Sequence, residues 1–383
     1  MSGMGEFSLP IPETSRNFVS AIASDQRPTH GGNLAWAAEM AGCEASEILD
    51  FSASINPLGP PKTAIAAMQA HLRDLRAYPD PSYTTLRQAL GALHHRDPAW
   101  ILPSNGAAEL FTWAAYEFSQ LSTTYLVTPA FADYRRALKT FGVHWVPCPL
   151  SVENDWRSPK IPLPDVPSTP HAGLLLNNPH NPTGQLWQPS DILPLLERFA
   201  LVVVDEAFME FLPPQEQPSL DAYIQDYPNL VIVRSLTKFY SLPGLRIGYT
   251  IAHPERVQRW QQWRDPWSVN RLAEVAAIAS LQDSNFQQQT WDWLPVARQQ
   301  LMEGLRALEG FYPLSGAANF LLVHTDIPSS RLQQALLQQH RILIRDCLSF
   351  PELGDRFFRV AVRTVAENQQ LLDGLRQVVQ ATQ

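Results

Sequence analysis

A lysine, an aspartate, an asparagine and an arginine recur at positions from which they could serve one reaction. Lys238 lies in SLTKFYSLPGLRIGY, residues 235–249, between Ser235 and a turn that brings Arg246 back eight residues later. An amine beside a hydroxyl and a permanent guanidinium can attack a carbonyl while the other two hold a phosphate. By itself, a lysine at the end of an apolar strand is an ordinary solvated cap, so its neighbours must decide. Asp205 ends the wholly apolar run LVVVD and is followed by EAF. A carboxylate there needs a cation or strong donor as partner, unless it only caps the next turn. Asn181, in NNPHNPTG (177–184), precedes a proline that restricts it to extended backbone, from which its amide can aim into a cleft. SNGAAELF, starting at Ser104, sets a small-residue turn before a helix. Free amides at such a start bind phosphate, although many turns enter helices this way without a ligand.

These side chains need a scaffold that brings strand ends together. From about residue 100 to 252 the chain alternates short apolar runs with helical stretches: TTYLVT, HWVPC, AGLLLN, LVVVDE, NLVIVRS and RIGYTIA. The pattern predicts an α/β fold with a buried, mostly parallel sheet between helices. Nearly every residue named above falls at the C-terminal end of one of those runs, where open α/β sheets bind ligands. After Ile251, LAEVAAIASLQ and WLPVARQQLMEGLRAL read as helices that leave the sheet. ANFLLVH, RILIR and FFRVAV then read as strands of a smaller α+β domain, with SRLQQALLQQH and ENQQLLDGLRQVVQ as its helices. The proline-rich stretch from Pro147 to Pro170 reads as a surface loop with a short helix.

Composition narrows the classes. At 383 residues, two subdomains are expected; hydrophobic content of 45% with 17% charged residues is that of a globular protein. No apolar run is long enough to span a bilayer. The N-terminus, MSGMGEFSLPIPETSRNF, lacks the basic and apolar regions of a secretory peptide and reads as a flexible leader on a cytoplasmic protein. A net charge of −8 without a basic block argues against nucleic acid as a partner. Cys43, Cys148 and Cys347 are widely spaced, offer neither a disulfide framework nor a zinc spacing, and read as core residues. Nothing in the sequence calls for a metal.

Taken together, a helix start with a serine and an arginine for phosphate, a buried aspartate, an asparagine and a lysine suit one ligand, pyridoxal 5'-phosphate. Lys238 would join the cofactor's aldehyde while Asp205 keeps the pyridine nitrogen protonated. The segments NNPHNPTG, VVDEAF and SLTKFYSLPGLRIGY also resemble the fold-type I pyridoxal phosphate enzymes of the class I/II aminotransferase group. Within that group HGGN (30–33), LDFSASINPLGPP, YPDPSY, PWSVN, RILIRDC and FFRVAVR most closely resemble the threonine-phosphate decarboxylases of cobalamin biosynthesis.

The resemblance, which runs from about His30 to the C-terminus, implies a mostly parallel seven-stranded sheet between helices and a smaller α+β domain. It sets the boundaries at a leader (1–29), an N-terminal segment of the small domain (30–58), a large cofactor-binding domain (59–270) and a C-terminal small domain (271–383). It implies Lys238 as the cofactor-linking lysine, Asp205 at the pyridine nitrogen and Asn181 at the phenolate oxygen. Phe131 would stack on the ring, and the amides of Gly106 and Ala107 with Ser235 and Arg246 would hold the phosphate. Arg359 matches the residue that grips the substrate's anionic end, with Arg345 and His30 near a second anion. Ser54 stands where the decarboxylases read asparagine and shortens the reach toward substrate. Arg363 reads as an extra charge or, more simply, as a surface salt bridge. Phe208 and Leu58 follow the decarboxylase pattern where aminotransferases carry tyrosine. The implied reaction is decarboxylation of L-threonine O-3-phosphate by a homodimer whose site lies at the subunit interface, with NPLG reaching across; the alternative is a histidinol-phosphate or related aminotransferase.

Overall fold

The computed structural model describes residues 27–150, 161–163 and 171–382. The expected leader lies outside these residues up to position 26, as does most of the expected loop between Pro147 and Pro170.

The described chain begins with α1 (Leu34–Ala41), β1 (Leu49–Asp50), α2 (Lys62–Ala70) and α3 (Thr84–Leu93), which lead into β2 (Ile101–Ser104). Next come α4 (Ala107–Phe118), β3 (Thr123–Thr128), α5 (Ala132–Thr140), β4 (Trp145–Pro149), β5 (Ala172–Asn177) and α6 (Pro189–Leu196). Then β6 (Leu201–Asp205), β7 (Leu230–Ser235), the one-turn α7 (Leu236–Phe239), β8 (Gly248–Ala252) and α8 (Pro254–Trp263) complete the sheet region. The remainder is α9 (Arg271–Leu281), α10 (Ser284–Arg306), β9 (Phe311–Pro313), β10 (Phe320–Thr325), α11 (Ser329–His340), β11 (Ile342–Leu343), β12 (Arg345–Asp346), β13 (Phe357–Ala361) and α12 (Val365–Thr382).

Seven strands form the main sheet in the order β2-β8-β7-β6-β5-β3-β4, and β8 runs antiparallel to both of its neighbours. Alternate residues of the central strands enter two separate cores. Val202, Val204, Leu230 and Ile232 pack on one face; Leu201, Val203, Val231 and Val233 pack on the other, against α4, α5 and α8. Burial on both faces is why these runs are continuously apolar rather than alternating.

One edge strand bears out the sequence expectation and the other departs from it. HWVPC, read as an apolar run, supplies most of β4, which continues through Pro149 into the stretch also read as a loop, whereas β2, with Pro103, is not among the apolar runs. An edge strand needs partners on one side only, so proline's missing N–H costs little there.

In the smaller part, the antiparallel sheet β12-β13-β10-β9 carries Arg345 and Arg359, while β1 pairs in parallel with β11. The long α10 packs on α12 and β9, whereas α9 packs on α2 and α3 beside the main sheet.

Candidate active site

Strand register assembles the site. Ser235 and Ser104 both lie opposite Gly248, Val233 lies opposite Asp205, and Asp205 lies opposite Asn177. Because β8 is reversed, its beginning meets the ends of its neighbours, and Arg246, just before it, arrives at the same edge. One cavity there is lined by Ala107, Phe131, Asn181, Asp205, Ser235, Lys238 and Arg246. His30, Ser54, Arg345 and Arg359 line its other side. Gly106 stands behind the lining. With φ +74°, a Cβ there would come within 2.4 Å of Arg246 Nη2, so glycine is what lets the guanidinium lie against the start of α4.

Lys238 is half-buried on α7, and its Nζ donates to Ser235 Oγ at 3.0 Å. The Phe208 ring lies 5.9 Å from Nζ. Burial pushes the lysine pKa below its usual value; Asp205 opposes this, and the charges of Arg246 and Arg359 reinforce it. A lower pKa leaves more of the amine in its neutral, nucleophilic form.

Asp205 is 7% exposed and accepts from two donors, the Tyr134 hydroxyl on Oδ2 at 2.5 Å and the Ala207 amide on Oδ1 at 2.9 Å. Burial raises its pKa, while the Tyr134 hydrogen bond, the charge of Lys238 and the Ala207 amide lower it. The next residue, Glu206, faces away into an ion pair with Arg234 Nη2 at 2.7 Å, and Glu210 accepts from Arg234 Nη1 at 3.1 Å. The adjacent acids of DEAF are thus divided by the strand's alternation: one faces the cavity and one holds the scaffold.

On the far side, Arg345 and Arg359 lie directly opposite one another on β12 and β13. Like charges in that register repel, and both side chains are buried. Their hydrogen bonds go to neutral oxygens. Arg359 donates to Asn181 Oδ1 and Ser52 O; Arg345 donates to the carbonyls of Pro28 and Thr29 and to Ser349 Oγ. Burial, and then Arg345, depress the Arg359 pKa to about 10. His30 leans on Phe131 with ring centroids 5.4 Å apart, and burial and then Arg345 hold its pKa below the usual value. The Ser54 hydroxyl is buried without a hydrogen-bond partner in the described structure. Arg363 bonds Glu367 at 2.7 Å and the Asp50 carbonyl at 3.0 Å, which favours the salt-bridge reading.

Tyr134 and Ser349 went unrecognised in the sequence. Tyr134 follows Phe131 by three residues in AFADY, so both share a face of the chain entering α5, yet a tyrosine there reads as ordinary core. Ser349 carries no such signal, because its place depends on the turn after β12.

The chain matches the family model described as aminotransferase class I and II over residues 46–375. It is 39% identical to a threonine-phosphate decarboxylase of Salmonella typhimurium, over 91% of this chain and 96% of that one. Two solved structures are also similar. A histidinol-phosphate aminotransferase from Clostridium acetobutylicum superposes with a TM-score of 0.78 at 29% identity, covering 87% of this chain and 100% of the other. An L-threonine-O-3-phosphate decarboxylase from Porphyromonas gingivalis gives 0.76 at 26% identity, with coverage of 87% and 100%.

Proposed function

The chain belongs to the class I and II aminotransferase family, and from that membership we propose that it decarboxylates L-threonine O-3-phosphate to (R)-1-amino-2-propanol O-2-phosphate, a step toward cobalamin. The observation that carries this reading is the Arg345–Arg359 pair. Two buried guanidiniums with neutral partners suit a substrate that brings both a phosphate and a carboxylate. Histidinol phosphate carries only the first of these anions.

The cofactor of the family is pyridoxal 5'-phosphate, and the residues at the strand ends fit it. A lysine amine bonded to a neutral hydroxyl, a buried carboxylate with lone pairs toward the cavity, and a guanidinium lying on a glycine helix start suit its aldehyde, ring nitrogen and phosphate respectively. When bound, the cofactor supplies an aldehyde that captures the substrate amine and a protonated ring that takes up the electron pair of a broken Cα bond.

In this reading Lys238 holds the cofactor between turnovers, and Asp205 accepts from the ring N–H. Asn181, whose Oδ1 accepts from Arg359, would offer its Nδ2 to the phenolate oxygen, and Phe131 would stack on the ring. Arg246, Ser235 and the amides of Gly106 and Ala107 receive the cofactor phosphate. Arg345, Arg359, His30 and Ser54 would grip the substrate's two anionic ends, and their placement would decide which Cα bond is broken. A carboxylate so placed would be lost as carbon dioxide, and the Lys238 amine or a water would supply the proton that takes its place on Cα. Aligning the Cα–H bond instead would give the aminotransferase, which the likeness to the Clostridium acetobutylicum enzyme supports as the second reading.

The proposal extends to the assembly. Residues 59–270 form the cofactor-binding domain, and 30–58 with 271–383 form the domain that completes the site, in a cytoplasmic homodimer. The deciding experiment mixes cofactor-loaded protein with L-threonine O-3-phosphate, without any keto acid, and follows carbon dioxide and the phosphorylated amine. Equal release of both over many turnovers is expected. No release, with amino transfer from histidinol phosphate once 2-oxoglutarate is added, would establish the rival.

A further inference from the structure

We propose that Tyr134 is the positioning residue that fixes the rotation and the charge of the Asp205 carboxylate. The inference rests on the reading that Asp205 partners the cofactor's ring nitrogen.

Tyr134 is 1% exposed, and its ring is held edge-on by Phe111 and Phe131 at centroid distances of 4.8 and 5.7 Å. So held, it carries its hydroxyl to Asp205 Oδ2 at 2.5 Å, while the Ala207 amide bonds Oδ1 at 2.9 Å. One donor comes from α5 and the other from the turn after β6, and each takes one carboxylate oxygen. Any rotation of the carboxylate breaks both bonds, so the remaining lone pairs keep one direction, toward the cavity.

The charge follows from the same contact. The charged groups facing Asp205 are Lys238 on α7 and Glu210 beyond β6, which act with opposite sign. Asp133 faces the phenol from its own helix. Burial, then the Asp205 charge, pushes the phenol pKa well above its ordinary value, so Tyr134 remains a neutral donor at every working pH. A donor that never ionises stabilises the carboxylate form against the desolvation that opposes it. Without it, Asp205 drifts toward the protonated acid, which cannot balance a ring N–H cation.

The test uses the full chain, freed of cofactor and titrated with pyridoxal 5'-phosphate. Tyr134→Phe keeps the ring packing and removes only the donor. We expect the cofactor Kd to rise roughly 10- to 100-fold, the range for losing a hydrogen bond to a charged group, and to recover partly as pH is raised and Asp205 ionises again. In an Asp205→Asn background the same substitution should change Kd little, because its target is gone. Equal weakening in both backgrounds would mean the hydroxyl acts elsewhere and would overturn the inference. A normal Kd for Tyr134→Phe beside a weakened Asp205→Asn would overturn it while leaving the Asp205 reading intact. A normal Kd and normal absorbance of the bound cofactor in Asp205→Asn would overturn that reading itself.

Discussion

Arg345 and Arg359 face each other across two short strands, each with neutral oxygen partners, and an anion is what relieves their repulsion. Arg345→Ala should therefore raise KM for the phosphorylated amino acid by roughly 30-fold or more, since losing one partner of a buried charge pair costs about 2–5 kcal/mol. Cofactor affinity should change far less; steady-state kinetics beside a cofactor titration separates the two. Because the Arg359 pKa is held near 10, substrate binding should also weaken as pH rises through about 10. A second titration bears on stability. His180 is fully buried, bonds Thr183 Oγ1 at 2.8 Å, and has its pKa lowered by burial from 6.5 to about 3. Below 6.5 the unfolded chain binds a proton that the folded chain refuses until near 3. Stability is thus fully present above 6.5 and drains by about 1.4 kcal/mol per pH unit below it. Urea unfolding between pH 7 and 5 should show this slope in the wild type, and a shallower one in His180→Asn.

The start of α4 is the element on which the cofactor's phosphate depends in this reading. Gly106, at φ +74° and ψ 164°, occupies backbone that an L side chain rarely adopts. Gly106→Ala should lower stability by about 1–3 kcal/mol and, by displacing Arg246, weaken cofactor binding about tenfold or more. Thermal unfolding and a cofactor titration would report both. Strands such as AGLLLN and LVVVD were legible because burial on both faces leaves nothing but apolar residues. The short β1 and β9 were not, and RILIR, read as one strand, is divided between β11 and β12, since a strand of two or three residues is defined by its partner rather than by its own pattern. The same distinction holds at the site. Lys238, Asp205 and Ser235 sit at the ends of strong strands, so their meeting could be read from the chain. The opposition of Arg345 and Arg359 depends on the register of β12 with β13, and the bond from Tyr134 to Asp205 depends on how α5 seats on the sheet. Neither leaves a mark in local sequence.

At the scale of the whole molecule, one group of exposed apolar side chains among the described residues bears on assembly. Leu72, Leu75 and Tyr78 are 52%, 58% and 80% exposed, and Tyr78 stacks on the half-exposed Trp267 with ring centroids 4.5 Å apart. Exposed apolar side chains of this kind suit an interface, and the proposed homodimer would give them an occupant. Leu75→Glu with Tyr78→Glu should yield monomers in light scattering and a large loss of activity; a dimer that persists would place the interface elsewhere. No helix among the described residues is long and apolar enough to cross a membrane. The pairing of β1 with β11 joins Leu49 to Ile342 across most of the chain, and it carries a consequence for synthesis. A ribosome releases the main sheet, through Ala252, well before Ile342, Arg345 and Arg359 appear. At roughly 5–20 residues per second, the nascent protein passes some seconds with its early strand unclasped and its two facing arginines not yet made. On the proposed reading, grasp of the substrate is thus the last capacity that translation confers.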